Sequence, residues 1–137
     1  MQKAIGLAAA PLVERVAQRL APGSEGFNLP FAERFTRALD IPLIGVGGFH
    51  SRVAMEGAIR AGSCDAVSAA RAFIADPYLL RNVTQDPVPD TPVCGYCNGC
   101  IARFGGQAID CYSPAIRARK DAMLRRPIPA ETEVVDV

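Results

Sequence analysis

The chain has 137 residues, half of them hydrophobic and 21% charged, with fifteen Lys and Arg against fourteen Asp and Glu for a net charge of +1. So balanced a charge provides no whole-protein field to gather nucleic acid or anionic membrane, and neither is the expected partner. The apolar content excludes disorder for the bulk of the chain, the apolar runs fall far short of the ~20 residues of a membrane span, and a complete (β/α)8 barrel of roughly 250 residues does not fit.

The first ten residues carry little pattern. Pro11 to Leu20 reads as a helix with proline at its first position and Leu12, Val16 and Leu20 on one face. A breaker-rich loop follows, and a second helix is expected from about Pro30. There Phe31, Phe35 and Leu39 form an apolar stripe while Glu33, Arg34 and Arg37 face water. Ile41 to Val46 is a short, almost wholly apolar run without alternation, the pattern of a parallel strand covered on both faces. Gly47 to His50 makes a turn, Ser51 is placed to cap a helix through Ala61, and Gly62 stops it. Asp65 to Ala70 reads as the next buried strand, and Asp76-Pro77 as the start of another short helix.

Helix, strand, helix, strand, helix with short links is the rhythm of right-handed β-α-β units and a parallel sheet. It stops at Thr84. The polar, proline-rich stretch to Val93 leads into a cysteine segment, and Ser113-Pro114 opens a basic helix to about Arg126. The expected division is an α/β segment over 1–83, a cysteine-rich extension with its basic helix over 84–126, and a frayed tail over 127–137. With no charged-then-apolar leader at Met1, a cytoplasmic location is expected.

Three groups of residues can carry chemistry. Gly47 and Gly48 follow a strand and precede a helix, where backbone N–H groups with no Cβ in the way can approach a phosphate, helped by the helix dipole; a plain tight turn would look the same. Arg71 follows the next strand, one β-α-β unit on, where a guanidinium can clamp the same phosphate bidentately or simply cap carbonyls. Cys94, Cys97, Cys100 and Cys111 lie within eighteen residues. Four such thiolates can hold a tetrahedral zinc or an iron–sulfur cluster, or remain free thiols or disulfides. Asn98 and Gly99 keep that loop pliable. His50, the only histidine, follows the glycine turn and has no nucleophile or carboxylate partner legible in the sequence. Cys64 stands apart at the start of a strand and reads as packing.

These motifs, in this order, resemble the C-terminal part of the old yellow enzyme family of NADH:flavin oxidoreductases, in the branch that includes dienoyl-CoA reductase and trimethylamine dehydrogenase. Ile41 to Phe49 is similar to the family's seventh barrel strand and phosphate turn, Asp65 to Arg71 to its eighth strand, and Cys94 to Ala115 to its iron–sulfur segment. The resemblance covers about residues 25 to 120. It implies the strand 7–8 portion of a (β/α)8 TIM barrel with a cysteine-rich extension. It implies FMN held by Gly47, Gly48, Ala70 and Arg71, and a metal centre, a [4Fe–4S] cluster or alternatively zinc, on Cys94, Cys97, Cys100 and Cys111.

In the family, hydride passes from nicotinamide to the flavin and on to an activated alkene or related acceptor. Two departures stand out: Ala70 replaces the family's glycine before the arginine, and two residues rather than three separate Cys97 from Cys100. The substrate-binding His/Asn or His/His pair has no counterpart here, so no catalytic residue is assigned. The implied role is a piece of an FMN-dependent NAD(P)H oxidoreductase, inactive alone and completed by the missing barrel half or a second copy. The competing class is a non-enzymatic zinc-binding or interaction module.

Overall fold

A computed structural model describes residues 25–125. The helix expected from Pro11 to Leu20 and the tail over 127–137 lie outside the described residues. Within them the chain is a small mixed α/β fold. Its elements are α1 (Leu29–Ala38), β1 (Ile44–Val46), α2 (Arg52–Arg60), β2 (Ala66–Ser68), α3 (Arg71–Ala75), α4 (Leu79–Val83), α5 (Gly99–Ala102) and α6 (Pro114–Leu124). The two strands pair in parallel, Ile44 opposite Ala66 and Val46 opposite Ser68, which requires the crossover that α2 supplies.

Local chemistry sets these boundaries. Ser51 is extended, and its hydroxyl accepts the Ala54 N–H at 3.3 Å, as a helix N-cap does. Gly62, at φ +70°, takes the left-handed conformation that ends α2. Asp76 is wholly buried. One carboxylate oxygen accepts the Tyr78 N–H at 2.9 Å and the other the Asn82 side chain at 2.8 Å, fixing the corner between α3 and α4.

The core is one small cluster of Phe49, Ala58 and Cys64 under Leu29, Leu43 and Val67. A second cluster of Ala72, Leu79 and Val83 joins it through Met55. Cys64 packs directly over β1: a Cβ at Gly45 would lie 2.8 Å from its sulfur. Its role is therefore steric, as its sequence setting suggests.

Two expectations are corrected. The strands are not covered on both faces. Ile44 is 65% and Val46 52% exposed, and only Gly45 between them is buried. No described element lies over the face these side chains form. Helix α1 likewise turns its aromatic stripe outward, with Phe31 60% and Phe35 56% exposed. Its rotation is set by polar anchors instead. The Thr36 hydroxyl donates to the Ser63 carbonyl at 3.0 Å, and the Ser63 hydroxyl donates to Glu33 at 3.1 Å, so Glu33 is engaged with protein and not only with water. No helix among the described residues is long and apolar enough to cross a membrane.

Candidate functional site

Because β1 and β2 are parallel neighbours, the turns that leave their C-terminal ends open on the same edge of the sheet, where α/β folds place ligands. Gly47 and Gly48 leave β1, and Ala70 and Arg71 leave β2. All four line one cleft of about 80 Å³. A strap over 25–28 braces the first turn. The Gly26 N–H donates to the Gly47 carbonyl at 2.7 Å, and the Asn28 side chain donates to the Val46 carbonyl at 2.8 Å. A Cβ at Gly47 would stand 3.0 Å from the Asn28 backbone nitrogen, so a larger residue there would require the strap to shift by a few tenths of an ångström. Gly48 sits at φ +73°, a conformation that strains an L side chain. Among the described residues, Arg71 is the one charged side chain lining the cleft.

The helix end behind the glycines is not offered to a ligand, contrary to the sequence-based reading. Glu25 fills it. One of its oxygens accepts the His50 N–H at 2.5 Å and the Ser51 N–H at 2.7 Å, and the other accepts the Ser51 hydroxyl at 2.6 Å. The carboxylate occupies the position an anion takes at a helix N-terminus.

Burial opposes ionisation of Glu25, but the Ser51 hydroxyl and the two N–H donors prevail and hold it below the ordinary carboxylate value of 4.5. A carboxylate depressed by folding stabilises the fold above its unfolded pKa, and that contribution is lost as pH falls through the folded one. Glu25→Gln should therefore cost about 1 kcal/mol at neutral pH and flatten the acid limb of stability below pH 4.5. Urea midpoints measured across that range check both effects.

Cys94, Cys97, Cys100 and Cys111 line a second cavity of about 20 Å³. The loop reaches this arrangement through two non-glycine residues in left-handed conformation, Tyr96 at φ 55° and Asn98 at φ 57°. All five cysteines are free thiols, so the disulfide alternative is not realised. Burial pushes the Cys100 and Cys111 thiols up, and the proximity of Cys94 and Cys97 adds to the effect.

Cys111 is fixed by its neighbour. Asp110 accepts the Cys111 N–H at 2.7 Å and is itself tied to α6 by Lys120 and by Arg117 at 3.4 Å. The donor set, four thiols on one cavity, has the chemistry of a thiolate metal centre. As placed, however, no three His, Cys, Asp or Glu side chains among the described residues are gathered closely enough to hold a single metal ion.

The two cavities share a wall. Arg71 and Cys94 line both. The Tyr96 hydroxyl donates to the Gly48 carbonyl at 2.6 Å, and the Arg71 guanidinium lies 5.5 Å from the Tyr96 ring centre. Arg71 also donates to the Asn98 side-chain carbonyl. His50 adds its ring 5.9 Å from that of Tyr96. Sequence reasoning missed Glu25 and Tyr96, because both act on residues remote in the chain. A bulky aromatic inside a Cys-x2-Cys loop was the one available signal for Tyr96.

No family model matches the chain. Over 108 residues, 79% of the chain, it is 40% identical to 4,4'-dithiodibutanoate disulfide reductase of Rhodococcus erythropolis, covering 25% of that protein. Over 81 residues it is 39% identical to dimethylamine dehydrogenase of Hyphomicrobium sp. (strain x), 58% of the chain and 11% of the relative. Over 64 residues it is 39% identical to an NADH-dependent flavin oxidoreductase of Talaromyces variabilis, 46% of the chain and 16% of the relative. The chain thus spans a quarter or less of the length of these relatives. The relatives are old yellow enzyme-type NADH:flavin oxidoreductases, and the chain, with its order of glycine turn, arginine and cysteine segment, matches one part of them.

Proposed function

We propose that the chain contributes the FMN phosphate site and a four-cysteine metal centre to a flavin-dependent NAD(P)H oxidoreductase. The observation that carries this reading is the convergence of Gly47, Gly48, Ala70 and Arg71 on one cleft, with the cysteine loop against it. The relatives' names, two of them a disulfide reductase and a flavin oxidoreductase, support redox chemistry through a flavin.

Bound FMN would supply hydride acceptance from nicotinamide and hydride donation to an acceptor. Arg71 would neutralise the phosphate with a forked pair of N–H donors, held in place by the Tyr96 ring and Asn98. With the helix end behind Gly48 closed by Glu25, the charge complement rests on Arg71. In this reading β1 and β2 are adjacent strands of a (β/α)8 barrel. Exposed Ile44 and Val46 then suit packing against barrel parts beyond this chain, from a missing half or a second copy.

For the cysteines, an iron–sulfur cluster is favoured over zinc. Four thiolates at this spacing suit either centre, and the likeness of Cys94 to Ala115 to the family's iron–sulfur segment favours the cluster. Purification without oxygen, followed by the visible spectrum and assays for iron, sulfide and zinc, tests this. Broad absorbance near ~400 nm with iron and sulfide is expected. Stoichiometric zinc in a colourless protein would overturn the cluster and favour a structural module.

A further inference from the structure

We propose that closure of the cysteine loop and anion binding in the Gly48/Arg71 cleft are reciprocally coupled through Tyr96 and Asn98. This rests on the reading of that cleft as a phosphate site, and goes beyond it by making the loop a controlling part of the site.

Three observations carry the coupling. Two loop residues reach the cleft: Tyr96 donates to the Gly48 carbonyl and lies beside the Arg71 guanidinium, and Asn98 accepts from Arg71. Among the described residues, those same two are the non-glycine positions in left-handed conformation. An asparagine tolerates that backbone, but a tyrosine holds it only where surrounding contacts over-determine it, so losing the Tyr96 cross-contacts favours opening of the loop. Finally, Arg71 and Cys94 belong to the walls of both cavities, so a displacement on one side is felt on the other.

The loop therefore has a closed form, in which Arg71 is aimed and the Gly48 turn is pinned, and a released form in which neither holds. An anion that draws on Arg71 binds the closed form better. By linkage, it favours closure by the same factor that closure favours the anion. Any group that gathers Cys94, Cys97, Cys100 and Cys111 would tighten anion binding by the same route.

The test uses the full chain, metal-free and reduced, with inorganic phosphate as the probe. Phosphate binding is followed by phosphorus NMR line broadening, and the alkylation rate of each cysteine by N-ethylmaleimide is read by peptide mass spectrometry. Saturating phosphate is expected to slow alkylation of Cys97 and Cys100 by about fivefold or more. These two line only the second cavity, so direct shielding by bound phosphate does not explain their protection. Buried Cys64 stays unreactive throughout and reports that the fold is intact.

Tyr96→Phe, which loses the hydroxyl bonded to Gly48, should bind phosphate more weakly and lose most of the protection. Asn98→Ala replaces it if Cys64 shows that Tyr96→Phe has opened. Phosphate that binds while only Cys94 is protected, or none of the loop cysteines, overturns the coupling. So does a folded Tyr96→Phe chain with full protection. Failure of phosphate to bind the unaltered chain overturns the phosphate reading itself, and the coupling with it.

Discussion

Arg71→Ala lowers FMN affinity by about ten- to a hundredfold. Among the described residues the cleft presents one charged side chain, and the helix end beside it is already satisfied by Glu25. In the proposed phosphate site, removing the guanidinium would delete a charge-assisted, forked contact to a phosphate dianion, worth roughly 1.5–3 kcal/mol. It also removes the partner of Asn98 and the cation beside Tyr96. Arg71→Lys should recover only part of the loss, because an ammonium cannot reproduce the fork or lie as a plane beside the ring. Flavin fluorescence titration of the chain, completed by the remaining barrel strands, gives the numbers. Unchanged affinity in Arg71→Ala would remove the residue from the phosphate site.

If the cysteines hold a metal centre as proposed, Cys97→Ser should abolish metal loading and Cys64→Ser should leave it intact. Four thiols line the second cavity, and Cys97 sits between the two left-handed residues that bend the loop around it. A serine hydroxyl is a poor ligand for iron or zinc beside thiolates. Three remaining ligands leave one corner of the centre open to solvent. Cys64 fills the space above Gly45 and is absent from the cavity. Iron and sulfide per chain, measured after anaerobic purification, should fall from about four of each for a [4Fe–4S] cluster to near zero in the first variant only. Equal metal in both variants would take Cys97 out of the ligand set. Loss in Cys64→Ser without unfolding would put that residue into it.

The strand–helix alternation was legible because its punctuation is local. Two apolar runs, a serine cap and the Gly62 stop each act within a few residues. The cleft followed from them: once two parallel strands are adjacent, the glycines after one and the arginine after the other must meet. What the sequence concealed depends on partners far along the chain. Thr36 reaches Ser63, 27 residues on, and this fixes the rotation of α1 against the rule that an aromatic stripe turns inward. Glu25 closes the end of α2 from 25 residues away, removing a helix dipole that pattern reading assigned to the ligand. Tyr96 reaches Gly48 across 48 residues. Spacing alone carries no record of such contacts. Nor does it show that the strands keep an open face, since an all-apolar run reads the same whether its cover lies in this chain or elsewhere.

Recognition of a flavin phosphate by this cleft is tested by comparing FMN with riboflavin, which differ by that group alone. Both are titrated into the chain completed with the remaining barrel strands. FMN is expected to bind at least about tenfold more tightly than riboflavin, roughly 1.4 kcal/mol. Arg71→Ala should narrow the gap while leaving riboflavin binding unchanged. Equal affinity for the two flavins would rule out phosphate recognition by this cleft.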